Sequence, residues 1–168
     1  WQAAPVAFTG ALASGLAMGA FWSLGPLYGE RIGLDPAQIA TMMTTAIAGG
    51  ALLQWPIGHF SDRFDRRAVL AVVALLAVAA AAAMAAFGGN SPAVLGGIFV
   101  FGAAAFAVYP VVVAHLIDHL HQDEILSGNA GILLLHGVAA AFGPAFAGWL
   151  MSRIGAIALP LHFALAFA

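Results

Sequence analysis

Polar side chains are scarce along this chain, and where they occur they are grouped. The densest group is Gly58-His59-Phe60-Ser61-Asp62-Arg63-Phe64-Asp65-Arg66-Arg67, which sets two carboxylates among three guanidinium groups. Guanidinium groups bind carboxylates or anionic headgroups through directed, charge-assisted hydrogen bonds. Asp62 can accept backbone N–H bonds at the N-terminus of a neighbouring helix, where the dipole favours an anion. Gly58 permits a tight exit from a helix and a close approach between helices. On these properties alone the stretch reads equally well as an orienting basic loop of a membrane protein without further mechanism. His115, Asp118 and His119 form a second group, whose spacing of three and four places them on one helical face. Ionisable groups inside a membrane are costly and point to function, so His115 and Asp118, with the deeper His136, are candidates for a gate or proton relay. The bland alternatives are a solvated helix end for the pair and a neutral, hydrogen-bonded core histidine for His136.

Several chemistries are excluded or unsupported. The chain has no cysteine, which removes disulfides, thiolate metal sites and a cysteine nucleophile together. His115, His119 and His121 lack a clear further ligand set, so no metal and no cofactor is expected. No glycine-rich phosphate loop precedes a helix and no nucleophile elbow occurs, so the chain is not expected to be an enzyme. The net charge is −2 and no basic stripe is interleaved with aromatics, which leaves nucleic acid without a footprint.

The elements that must position these residues are membrane helices. Hydrophobic residues make up 63% of the chain and charged residues only 7%, against about 25% in ordinary soluble domains. That is too little charge for a polar shell, so apolar surface must face lipid. A hydrocarbon core of about 30 Å needs about 20 apolar helical residues. Six segments are candidates, at about 5–28, 36–57, 68–87, 93–117, 125–151 and 155–168, the last too short to span and reading as a truncated helix. Their continuous Ala- and Leu-rich runs argue against barrel strands, whose polarity alternates. The expected fold is therefore an all-α, six-helix transmembrane bundle occupying residues 1–168. Asp35-Pro36-Ala37-Gln38 reads as a capping box with proline at the first helical position. Gly88-Gly89-Asn90-Ser91-Pro92 reads as a tight turn. Short connections make neighbours antiparallel, so Arg63, Arg66 and Arg67 lie on one side and Arg31 and Arg153 on the other. The clustering predicts that 58–67 is cytoplasmic. The segment 68–87 carries no polar side chain at all and is expected at the lipid-facing periphery.

Within the other helices, Gly15 and Gly19 on the first, and Gly143 and Pro144 on the fifth, supply small-residue sites for helix packing. Pro110 removes a backbone donor from the fourth helix beside Tyr109. Broken helices often line transporter cavities. Ser14, Met18, Phe21 and Trp22 of the first helix, with Phe106 and Tyr109 of the fourth, are candidate cavity-lining residues suited to an amphipathic or apolar solute. Plain aromatic packing explains each of them individually just as well.

The charged stretch resembles the signature loop of the major facilitator superfamily, Gly-x-x-x-Asp-Arg-x-Gly-Arg-Arg, found after the second helix of each six-helix half. Gly58, Asp62, Arg63, Arg66 and Arg67 match it. Asp65 replaces its second glycine, His59 stands where a basic residue is common, and Phe60-Ser61 replaces the usual Leu-Ala. Gly49-Gly50-Ala51-Leu52-Leu53-Gln54-Trp55-Pro56-Ile57-Gly58 is similar to the eighth helix of a bacterial YcaD-like branch. Ala114-His115-Leu116-Ile117-Asp118 and Gly131-Ile132-Leu133-Leu134-Leu135-His136-Gly137 are similar to its tenth and eleventh. The resemblance implies the C-terminal half of a secondary transporter working by alternating access in the bacterial inner membrane. It also implies a small-molecule substrate, a lipid surround, and a missing N-terminal six-helix half that Asp62 would contact. The alternative is a non-transporting membrane sensor or scaffold built on the same bundle.

Overall fold

A computed structural model describes residues 5–88 and 92–168, and folds them into six helices with no strand among the described residues. These are α1 (Pro5–Arg31), α2 (Pro36–Arg63), α3 (Arg66–Phe87), α4 (Pro92–Ile117), α5 (Ile125–Ile154) and α6 (Ala158–Phe167). Most of the turn expected between 88 and 92 lies outside the described residues. Four helices, α1, α3, α4 and α5, are long and apolar enough to cross a membrane. The other two candidate segments fall short of that standard for different reasons. α2 is long but carries polar residues at both ends, and α6 has only 10 residues, about 15 Å of rise.

The α1–α2 connection follows from its residues. Gly33 takes φ +88°, a conformation that favours glycine, and the Leu34 N–H then donates to the Gly29 carbonyl at 3.0 Å. Asp35 and Gln38 form the expected reciprocal cap, with Gln38 N–H to Asp35 Oδ1 at 2.8 Å and Asp35 N–H to Gln38 Oε1 at 2.9 Å.

The second connection differs from the expected loop. Gly58 to Arg63 are helical, and only Phe64 and Asp65 separate α2 from α3. The 28 residues of α2 rise about 42 Å, beyond the ~30 Å hydrocarbon core. Charged side chains at the far end can therefore reach headgroups and water while the backbone keeps its helical bonds. The chain turns at Phe64, which is extended, and Asp65 then caps α3 by accepting the Arg67 N–H at 2.8 Å. Among the described residues Asp62, still within α2, accepts from the Arg66 side chain rather than from a backbone N–H, and the α3 cap falls to Asp65.

Packing is organised around α1 and α4, with α1–α5 the most extensive contact, followed by α2–α4 and α3–α4. Small residues bring the backbones together. A Cβ on Gly15 or Gly19 would collide with the carbonyls of His136 and Ala140 on α5, and one on Gly143 with the Leu16 carbonyl on α1. A matching seam joins α2 to α4, where Gly49 faces the Phe99 carbonyl and Gly102 the Ala46 carbonyl. α3 buries a single stripe, Leu70, Val73, Ala77, Ala80, Ala81 and Met84, against α4 and α6. Val72, Leu75 and Leu76 remain exposed on its other side, as the side-chain pattern of a peripheral helix requires.

Candidate functional site

Two grooves collect the polar and aromatic residues. The first, of about 370 Å³, lies between α1, α4 and α5. α1 contributes Ser14, Met18, Gly19 and Trp22. α4 contributes Phe106, Tyr109 and Pro110, and α5 contributes His136 and Ala140. Helical spacing explains the set: positions 14, 18 and 22 recur every four residues and share one face of α1. Trp22 and Phe106 meet edge to face, with centroids 5.8 Å apart at 90°. Tyr109 lies over the His136 imidazole at 4.5 Å, tilted by 51°. Phe21 stands behind this wall. It is buried, one position out of phase with the groove face, and packs against Phe101 and Phe106 at 6.2 and 6.1 Å.

The second groove, about 570 Å³, opens at the end of the bundle where α2 and α4 finish and α3 begins. Arg66 is its centre. Its Nε donates to Asp118 Oδ2 at 2.5 Å, and Nη1 donates to Asp62 Oδ1 and Ser61 Oγ, each at 3.0 Å. One guanidinium thus ties the end of α2 to residues just beyond α4, using the planar donor array that suits arginine to such bridging. Ser61 is buried, while the Asp62 side chain is 67% exposed and, among the described residues, accepts only from Arg66. Arg63 and Arg67 are exposed. His115 is buried beside His119, with ring centroids 4.5 Å apart, and the His115 carbonyl pairs with His119 Nδ1 at 2.8 Å. Gly58 plays no part in close packing within this bundle, since an added Cβ would meet nothing within 4 Å.

The structure therefore divides the residues grouped as a relay. His115 and Asp118 line the Arg66 groove, whereas His136 lines the aromatic one. The separation follows from depth, since Tyr109, the partner of His136, precedes Asp118 by nine residues, about 13.5 Å along a helix. Among the described residues no three His, Cys, Asp or Glu side chains are placed to hold a metal ion.

Sequence reasoning passed over two contacts. His162 of α6 is buried, with Nε2 3.0 Å from the Leu16 carbonyl. Arg31 donates from Nη1 to the Met151 carbonyl at 2.8 Å, joining α1 and α5 at the end opposite Arg66. An imidazole within an otherwise apolar run was a usable signal for the first. Nothing local announces the second.

The Major Facilitator Superfamily model matches residues 7–168, a range that contains both grooves and every helix contact described above. The chain belongs to the Major Facilitator Superfamily. It is 32% identical over 144 residues to proteins described as uncharacterised MFS-type transporter YcaD from Escherichia fergusonii, Shigella flexneri and Salmonella paratyphi B. Those alignments cover 86% of this chain but 37% of each relative, so the chain spans about a third of their length. No solved structure matches it. As a superfamily member, the chain is an integral membrane protein whose apolar helices face lipid.

Proposed function

We propose that this bundle is the C-terminal half of a secondary transporter that moves a small solute by alternating access. The observation that carries the reading is the groove between α1, α4 and α5, where aromatic and sulfur-bearing walls surround a few polar groups. Largely apolar concavities with few polar groups are the usual form of small-molecule sites. Superfamily membership and relatives named as transporters support the same conclusion. A second helical half packs against the groove side and completes the site, because transporter sites lie at the interface of repeats. The Arg66 groove faces the cytoplasm of a bacterial inner membrane, as the clustering of Arg63, Arg66 and Arg67 favours. Asp62, exposed and held by one arginine, is the residue that reaches the other half.

The test is solute flux by the full-length protein in vesicles, with and without a proton gradient. Gradient-dependent accumulation or efflux is expected. A full-length protein that moves none of a broad solute panel in either direction, while remaining folded, refutes the reading in favour of a sensor or scaffold.

A further inference from the structure

The Ala11 backbone is a hydrogen-bond partner of the His136 ring, but among the described residues two polar atoms beside the aromatic groove have no hydrogen-bond partner. They are the Ser14 hydroxyl and His136 Nδ1, both shielded from solvent. Ser14 is 0% exposed. Leaving buried donors and acceptors unpaired is costly, so such atoms are uncommon and ask for an explanation. Five other helical hydroxyls find the usual remedy. Thr9, Thr41, Thr45, Ser127 and Ser152 each donate to a carbonyl three or four residues earlier. Ser14 does not, although it sits in the middle of α1.

The two atoms border one cradle. Its remaining walls are Met18, Trp22, Phe106, Tyr109 and Ala140, with no carboxylate, guanidinium or amine among the lining residues. A charged ligand group would lose its hydration there without gaining a counter-charge from this wall. A hydroxyl or carbonyl, by contrast, can exchange hydrogen bonds with a serine hydroxyl and an imidazole nitrogen. The Tyr109 ring, 4.5 Å from the imidazole, covers His136. Turning that ring aside, together with rotation of the Ser14 side chain, would present both groups to the groove.

We propose that Ser14 and His136 form a paired hydrogen-bonding anchor for an uncharged amphipathic solute, one that carries a hydroxyl or carbonyl on an aromatic or branched apolar body. Trp22 and Phe106 hold the body, and Tyr109 closes over the polar end. The proposal rests on the transporter reading and names the chemical class of its cargo.

The experiment measures equilibrium binding of radiolabelled para-pentylphenol to the full-length protein in lipid nanodiscs, after subtraction of protein-free nanodiscs. Trimethylammonium and carboxylate analogues of the same body serve as competitors. Saturable binding of the phenol is expected, with both charged analogues at least about tenfold weaker. Ser14→Ala and His136→Phe should each weaken binding about 5- to 30-fold, the effect of one lost buried hydrogen bond. Ser14→Cys keeps the side-chain volume and a weak donor, so it should weaken binding less than Ser14→Ala. Unfolding midpoints identify variants that fail to fold, and Ser14→Cys then carries the test for Ser14. The proposal is overturned by absence of phenol binding, by an ammonium analogue that binds as tightly, or by single variants that bind like the parent protein. The last result would mean that water alone serves these groups. Vesicle flux separates this proposal from the transporter reading. Anchor-dependent binding without flux of any solute removes transport and keeps the anchor, whereas flux indifferent to both substitutions does the reverse.

Discussion

Gly19→Ala offers a direct test of how α1 and α5 are held together. A Cβ at this position would lie 2.7 Å from both the carbonyl carbon and the Cα of Ala140. Carbon atoms pack best at about 3.5 Å or more, so the methyl group arrives about 0.8 Å too close to these carbons and closer still to the Ala140 carbonyl oxygen. The obstructing atoms belong to a helical backbone and cannot rotate away, so the two helices must separate along their seam. Overpacking of this kind costs about 1–3 kcal/mol, whereas replacing glycine by alanine inside a helix contributes about 1 kcal/mol of stability. A net loss of up to about 2 kcal/mol follows. Gly148→Ala supplies the control on the same seam, because its Cβ would meet only Leu24 Cδ1 at 3.9 Å, an ordinary contact. That variant should gain up to about 1 kcal/mol. The propensity gain is common to both variants, so their difference isolates the overpacking, about 1–3 kcal/mol. Equilibrium unfolding in mixed micelles, followed by tryptophan fluorescence, measures it. If the two variants fall within about 0.5 kcal/mol of one another, the close approach of α1 and α5 is not a determinant of stability.

Three further outcomes are expected. Asp35→Ala removes the side-chain acceptor of the α2 cap and should cost about 1 kcal/mol, with faster amide exchange confined to the first turn of α2; unchanged exchange there would contradict the cap. A double-mutant cycle with Arg66→Gln and Asp118→Asn should give a coupling of about 0.5–1 kcal/mol in unfolding, kept small because the Asp118 side chain is 49% exposed and screened. Additive effects would show that the pair contributes no coupling. Asp62→Asn in the full-length protein should impair transport while membrane insertion and folding persist, since Asp62 makes one exposed contact within this bundle; loss of insertion would assign it a structural role instead.

Helix number and order were legible because five helices are announced by apolar runs close to the membrane thickness and the sixth by a shorter one. The end of α2 was not, because charged residues were read as leaving the helix. Helical hydrogen bonding is indifferent to the membrane boundary, and the helix stops only where Asp65 begins to cap the next one. Asp62 and Asp65 both stand near the start of α3, and spacing alone does not say which carboxylate meets the backbone. The aromatic groove was partly readable from phase: Ser14, Met18 and Trp22 repeat every four residues, while Phe21 falls out of register and into the core. The pairing of Arg66 with Asp118 joins residues 52 positions apart, and His136 lines one groove with Ser14 where α1 and α5 pack through glycines. Such relations depend on helix rotation and crossing, which a single apolar pattern leaves open.

The two grooves share one helix, and that sets a limit on their communication. α4 carries Phe106 and Tyr109 at the aromatic groove and leads into Asp118, which Arg66 holds about 13.5 Å further on. If breaking the Arg66–Asp118 pair shifts the balance between two positions of α4, the shift cannot exceed the free energy that the pair contributes differentially to those positions. For a half-exposed pair that is about 0.5–1 kcal/mol, or about 2- to 5-fold in an equilibrium constant. Asp118→Asn should therefore change the apparent affinity of the full-length protein for a groove ligand by no more than about 5-fold. Pro110, at the aromatic groove, removes one backbone hydrogen bond from the helix that leads to Asp118, which loosens the connection between the two sites. A change of tenfold or more would mean that Asp118 has a stronger partner in the transport cycle than the arginine it holds here.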